Sequence, residues 1–297
     1  MNSPILSSLP ADSADLADPA EAAESNMGTL LLDAGKLTPE GAERALRMQK
    51  DLGIRFGEAA VRLGLVSEDD VQEALARQFA YPYLPKGQAQ LSPRLVAAYD
   101  PFSTQVESLR AIRSQLLLRW FARGRRALGV LGADPEDGAA LFAANLAVVF
   151  SQLGEQTLLV DTNLRTPRQH EVFGLRPRQG LSDLLAGRAD LDVVARVPGF
   201  VDLSVLPAGT LPPNPQELLS RDAFLSLDAS LAGRYDVVLY DLAPFGAGAD
   251  ALAVAGRAGG VLLAVRKDHT RVAQLARMAE QLAEGGAEVV GAVVMEF

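Results

Sequence analysis

Between residues 126 and 294 the chain alternates short, almost unbroken apolar runs with longer helix-patterned stretches. The runs are 126–132 (RALGVLG), 156–161 (QTLLVD), 201–206 (VDLSVL), 235–241 (YDVVLYD), 259–265 (GGVLLAV) and 287–294 (AEVVGAVV). A strand wetted on one face alternates apolar and polar residues, whereas one covered on both faces is apolar throughout. Stretches near 139–153, 215–231, 247–257 and 269–284 supply the helical crossovers that parallel neighbours require. The pattern predicts an α/β fold: a parallel sheet between helices, with ligands expected at the carboxyl ends of its strands.

Composition narrows the chemistry. The 297 residues are 48% hydrophobic and 22% charged, with a formal net charge of −9. That balance opposes sequence-independent nucleic-acid binding, which needs a basic face, and direct adsorption to anionic lipid. With no cysteine, disulfides, thiolate metal sites and cysteine nucleophiles are excluded. His170 and His269 stand far apart and suggest no metal site. No apolar run approaches membrane-spanning length and no signal peptide is recognisable, so the expected location is the cytoplasm.

Three segments precede or flank the α/β pattern. Residues 1–25 hold Asp12, Asp15, Asp18, Glu21 and Glu24 without a basic residue, and read as a disordered acidic tail. Residues 28–49 and 57–78 form a repeat, matching at Gly28/Gly57, Gly35/Gly64, Ala45/Ala74, Leu46/Leu75 and Gln49/Gln78. Thr38 and Ser67 coincide as helix N-caps, with Pro39 at a first helical position. Each copy reads as short helix, glycine turn, capped helix, giving a small helical domain over 26–85. Residues 86–104, with Gly87, Pro93 and Pro101, read as a linker containing a short helical piece, and 105–297 as the α/β domain.

The helical repeat resembles the N-terminal domain of type II secretion and type IV pilus ATPases. Some members of that family bind cyclic di-GMP through an Arg-Leu-Gly…Gln pattern in each repeat. Arg55, Gly57 and Gln78 keep it in the second copy, with Phe56 for leucine, whereas Asn26 replaces the arginine in the first. Arginine both stacks on a base and forks onto a phosphate; asparagine does not. A purely structural docking domain is the competing reading.

The segment 131–147, LGADPEDGAALFAANLA, lies between the first strand and an apolar helix, the setting of a phosphate-binding loop. Such a loop cradles phosphates with backbone amides, sets a lysine on the β- and γ-phosphates and a hydroxyl on magnesium. Here Gly138, Ala139 and Ala140 hold the glycine-lysine-hydroxyl places, Ala133 replaces the first loop glycine, and Asp134, Glu136 and Asp137 lie between. Unit charges 4 Å apart interact by about 1 kcal/mol in water and roughly 4 kcal/mol at a shielded surface. Losing a cation and gaining acids therefore outweighs a residual helix dipole of at most about 2 kcal/mol.

Several motifs together resemble the bacterial tyrosine autokinases that accompany polysaccharide chain-length determinants. They are Glu107-x-x-Arg110-x-x-Arg113, Asp161-x-Asn163-x-Arg165 after an apolar strand, and Asp241-x-x-Pro244 after another. Pro207-Ala-Gly209 and Pro212-Pro213-Asn214-Pro215-Gln-Glu217 add to them. The resemblance implies a P-loop fold with Asp161 and Asp241 as magnesium-site acids if nucleotide binds. Asn163 stands where the family has a second acid, and a neutral amide neither holds magnesium nor accepts a tyrosine proton well. Glu107, Arg110 and Arg113 would join subunits into a ring-like homo-oligomer, a solvated helix face being the plain alternative. Family autokinases carry a C-terminal tyrosine cluster, but the five tyrosines here (81, 83, 99, 235 and 240) do not form one.

Two readings follow. One is a pseudokinase scaffold with no cofactor, held at the inner membrane through a membrane chain-length determinant (polysaccharide co-polymerase), and regulating exopolysaccharide chain length, polymerisation or export. The other is an active ATP- and Mg2+-dependent tyrosine kinase or ATPase with an atypical loop. A partition-type ATPase is disfavoured because the loop has neither of the lysines it needs, and a dinucleotide fold because no G-x-G-x-x-G follows the first strand.

Overall fold

A computed structural model describes residues 27–78, 83–84 and 90–296. The acidic segment 1–25, Asn26 and residues 85–89 lie outside these. The chain divides into two compact units, Met1–Tyr81 and Pro82–Phe297.

The smaller unit consists of α1 (27–33), α2 (Pro39–Leu52), α3 (Phe56–Arg62) and α4 (Glu68–Gln78). Thr38 caps α2 by accepting from the Gly41 N–H (3.1 Å). Ser67 and Asp70 form a reciprocal box at the start of α4, Ser67 Oγ accepting from Asp70 N–H (3.1 Å) and Asp70 Oδ2 from Ser67 N–H (3.0 Å). The turns inside each copy close on Gly35 (φ 65°) and Gly64 (φ 66°), a left-handed conformation that strains any side chain. The core keeps the repeat: Met27 matches Phe56, Leu31 matches Ala60, Leu37 matches Val66 and Ala45 matches Ala74.

The repeated glycines let the copies cross. The Phe56 ring covers Gly28, and Met27 covers Gly57. The fit is asymmetric, since a Cβ at Gly28 would lie 3.5 Å from Phe56 Cζ, whereas one at Gly57 would lie 2.8 Å from Val71 Cγ1 and 3.1 Å from Met27 Sδ. Gly57→Ala is therefore expected to destabilise this unit by about 2 kcal/mol through overpacking, and Gly28→Ala by much less. Denaturant unfolding followed by circular dichroism checks the contrast; equal effects would contradict it.

The larger unit is built on a seven-stranded sheet. Its strands are β1 (Ala127–Gly132), β2 (Thr157–Asp161), β3 (Ala195–Arg196), β4 (Leu203–Leu206), β5 (Val237–Asp241), β6 (Gly260–Arg266) and β7 (Glu288–Met295), in spatial order β3-β4-β2-β5-β1-β6-β7. All pairings are parallel except β3 with β4. Six strands are those expected from the apolar runs; β3, a two-residue edge, has no such signal. The last run is also an edge rather than a covered strand, and Val294 on it is 63% exposed.

Alternate strand residues enter opposite cores. Leu128, Val130 and Leu159 face α5 (Val96–Tyr99), α6 (Thr104–Arg119) and α7 (Ala139–Ser151). Leu131, Leu158 and Val160 face α10 (Pro215–Leu219), α11 (Asp222–Ala232), α12 (Asp250–Ala258) and α13 (Val272–Glu284). Two short helices, α8 (Gln169–Val172) and α9 (Leu181–Leu185), follow β2. The single helix expected over 215–231 is broken at Ser220, where Arg257 donates to the Leu219 and Ser220 carbonyls.

The segment read as a linker is, from residue 90 onward, part of this unit. Leu91, Leu95, Ala97 and Ala98 are buried in its core. Asn145 of α7 fastens it, accepting from the Ala97 N–H (2.9 Å) and donating to the Arg94 carbonyl (3.4 Å). No helix among the described residues is long and apolar enough to cross a membrane.

Candidate functional site

The loop between β1 and α7 lies at the carboxyl edge of the sheet, where the topology places ligands. Residues Pro135–Asp137 form one 3-10 turn, and Gly138 (φ 72°) begins the helix. Asp137 does not face an incoming ligand, as the sequence suggested; it is fully buried. Its Oδ2 accepts from the N–H groups of Ala133 (2.8 Å) and Asp134 (2.9 Å), and its Oδ1 accepts from Thr270 Oγ1 (2.9 Å). Backbone amides turned inward along such a loop form a nest for an anion. Here the loop's own carboxylate is that anion. Asp134 accepts from Gln274 Nε2 (3.4 Å), so Glu136 is the exposed acid of the three.

Asp161 and Asp241 end adjacent parallel strands at the same register position. Both are buried. Asp161 accepts from the N–H groups of Asn163 (3.2 Å), Arg168 (3.0 Å) and Gln169 (2.9 Å). Burial nevertheless raises its carboxyl to about 6, against the pull of those donors. Asp241 is pushed well above the carboxylate range by burial and by the charge of Asp161, with the Gln169 amide pulling the other way.

Gln169, missed in the sequence, ties the site together. Its Nε2 donates to Asp241 Oδ2 (2.6 Å) and to the Ala140 carbonyl (2.9 Å), so an amide NH2 stands between two oxygens where a cation would otherwise be stabilised. Its own Oε1 is buried without a hydrogen-bond partner. The two acids, the amide and two alanine methyl groups do not fit magnesium triphosphate: cation and hydroxyl are missing, and the inward amides already have an acceptor. Among the described residues no cluster of three or more His, Cys, Asp or Glu is placed to hold a metal.

The other predicted residues scatter. Asn163 caps its own turn, donating to Thr166 O (3.1 Å) and accepting from Thr166 N–H (3.1 Å). Arg165 forks onto Asp250 at 2.6 and 3.1 Å, fastening this loop to the start of α12. On α6, Glu107 and Arg110 pair at 3.0 Å, but Arg113 turns inward and donates to the Val149 carbonyl (2.6 Å) at the end of α7. Arg55, Gly57 and Gln78 belong to the smaller unit, where Arg55 is exposed and Gly57 is buried by packing. The sequence offers no basic residue inside the loop, yet the fold brings Arg94, Arg168 and Arg266 to a cavity of about 460 Å³ along its outer side.

Comparison with known proteins places this geometry. Tyrosine-protein kinase YwqD of Bacillus subtilis is 32% identical over 206 residues, covering 69% of this chain and 87% of that protein. Tyrosine-protein kinase wzc of Salmonella typhimurium is 31% identical over 201 residues, covering 68% of this chain but only 28% of that longer protein. Among solved structures, the kinase domain of Escherichia coli tyrosine kinase ETK superposes with a TM-score of 0.67 at 30% identity, over 70% of this chain and 82% of that one. No protein-family profile matches. A mostly parallel sheet ending in paired aspartates, a phosphate-type loop between strand and helix, and a relative matched over most of its length lead to one conclusion: the chain belongs to the bacterial tyrosine-protein kinase family.

Proposed function

We propose that this chain is a member of the family that works without nucleotide, as a scaffold or regulator of exopolysaccharide chain length, polymerisation or export. The observation that carries the reading is the Asp137 carboxylate seated on the loop amides. A triphosphate would have to expel a buried, hydrogen-bonded carboxylate and then bind without lysine or hydroxyl. Gln169 supports it, since the pair Asp161 and Asp241 is already bridged to the loop by a neutral donor.

In this reading the protein acts in the cytoplasm beside the inner membrane, through a membrane chain-length determinant, and self-associates through the Glu107–Arg110 face of α6. The smaller unit, resembling a secretion-ATPase N-terminal domain, serves as the input, by docking or through cyclic di-GMP at Arg55, Gly57 and Gln78. The register of Asp161 beside Asp241 favours the second reading, an active ATP-dependent kinase or ATPase. The two differ in a host strain. Deleting the gene should alter polysaccharide length, whereas Asp241→Asn should leave it as in wild type. A deletion-like phenotype from Asp241→Asn at normal protein level would contradict the scaffold reading.

A further inference from the structure

We propose that β7 is an interface for a second copy of this chain, the two strands pairing antiparallel about Val293 so that one sheet runs through both molecules. This edge is separate from the loop, from the acid pair and from the Glu107–Arg110 face of α6, and it stands whether or not α6 associates.

The two edges of the sheet are built differently. At one end β3 has two residues and carries Arg196, short and charged as exposed edges usually are. At the other end β7 has eight residues, and 289–295 read VVGAVVM, without a charge or a proline. A bulge, another device that blunts an edge, falls opposite Val261 and Leu262. Beyond it Gly291–Met295 follow Leu262–Arg266 in unbroken register, and Val293 is the middle of that regular stretch. A long apolar edge left unpaired is a template for another strand.

Backbone direction selects the register. The Met295 carbonyl accepts from the Lys267 N–H (2.9 Å), which turns Met295 and, two residues back, Val293 toward β6. Ala292 and Val294 therefore direct their N–H and C=O groups to the open side, and both residues are exposed. An antiparallel copy centred on Val293 sets Ala292 opposite Val294 twice, and the two pairs exchange about four hydrogen bonds. A centre at Ala292 would instead set Glu288 opposite Glu296, where like charges repel. Charge also selects an identical strand as the occupant. The ends of the strip are matched within the chain, Glu288 by Arg123 (3.4 Å) and Glu296 by Lys267 (2.5 Å), so two such edges meet without a bare charge on either. The net charge of −9 opposes association only at long range, and salt screens it, so the dimer tightens as ionic strength rises.

The test is analytical sedimentation of the full chain over a range of concentrations, repeated with Ala292→Pro and with Val294→Lys. Proline at 292 removes an N–H that β6 does not use, and circular dichroism verifies that each variant folds. A monomer–dimer equilibrium weakened by about tenfold or more in each variant is the expected result. Val293→Cys reads the register, since the chain has no cysteine of its own and residues facing across such a pair lie about 4.5 Å apart at Cα, within disulfide reach. Mild oxidation should link Val293→Cys into dimers and leave Val201→Cys, exposed elsewhere, monomeric. A chain that stays monomeric at every concentration, or association unchanged in both edge variants, would overturn the proposal. Association lost in Glu107→Ala but kept in Ala292→Pro would also overturn it, and would assign self-association to α6 instead.

Discussion

Truncating Asp137 to alanine is expected to lower the stability of the larger unit by about 3 kcal/mol, although the residue lies in a surface loop. The reason is what its carboxylate serves: the N–H groups of Ala133 and Asp134 and the hydroxyl of Thr270. Ala133 is itself buried, and a buried donor left unmade costs about 1–3 kcal/mol. Asp137→Asn keeps one acceptor oxygen and should lose roughly half as much. Urea unfolding at neutral pH measures both. A loss below about 0.5 kcal/mol for alanine would mean that water or a bound anion replaces the carboxylate without penalty, and that Asp137 does not hold the loop.

The second large effect runs the other way. Asp241→Asn should make the protein more stable at alkaline pH, by about 2 kcal/mol. Burial raises Asp161 from 3.8 to about 6, and burial together with the Asp161 charge holds Asp241 well above its ordinary value, so the folded state holds protons that the unfolded chain has released. The stability these protons contribute is then fully expressed below about pH 4 and is lost as pH rises through about 6, where Asp161 ionises, and through the raised range of Asp241. Asparagine removes the Asp241 part of that loss, leaving the part due to the burial of Asp161, and keeps an oxygen to accept from Gln169. The gain should fade as pH is lowered toward about 4, where wild type is protonated too. Thermal unfolding across pH reads the difference. A variant less stable than wild type at about pH 8 would mean that the charged pair has a cationic partner in solution, which the account denies.

Much of the fold was legible because the central strands are covered on both faces, so β1, β2 and β5 appear as apolar runs with nothing to interrupt them. Two departures have tertiary causes. Two residues of edge strand, Ala195–Arg196, carry no periodicity, and the break at Ser220 depends on Arg257, 37 residues away. The strap at 91–98 falls in the stretch 86–104 that reads as a linker because of Gly87, Pro93 and Pro101; it is fastened by Asn145, far along the chain.

For the site, Asp161 and Asp241 could be placed from sequence, since a strand-end acid keeps its position whatever surrounds it. Their state could not. It depends on Gln169, 72 residues from Asp241, and on backbone N–H groups whose direction no residue type announces. Asp137 shows the same limit: an acid in a loop reads as repulsion toward phosphate, and only the folded turn reveals that it accepts from the loop's own N–H groups and from Thr270. The inward turn of Arg113 likewise follows from how α6 packs on α7, not from its spacing to Glu107.

The most direct measurement is calorimetric titration of the purified chain with ATP and with ADP in magnesium. The account predicts no binding heat even at the highest workable protein concentration. Saturable binding in the micromolar range, lost in Asp241→Asn, would contradict it and make Asp161 and Asp241 working parts of a nucleotide site.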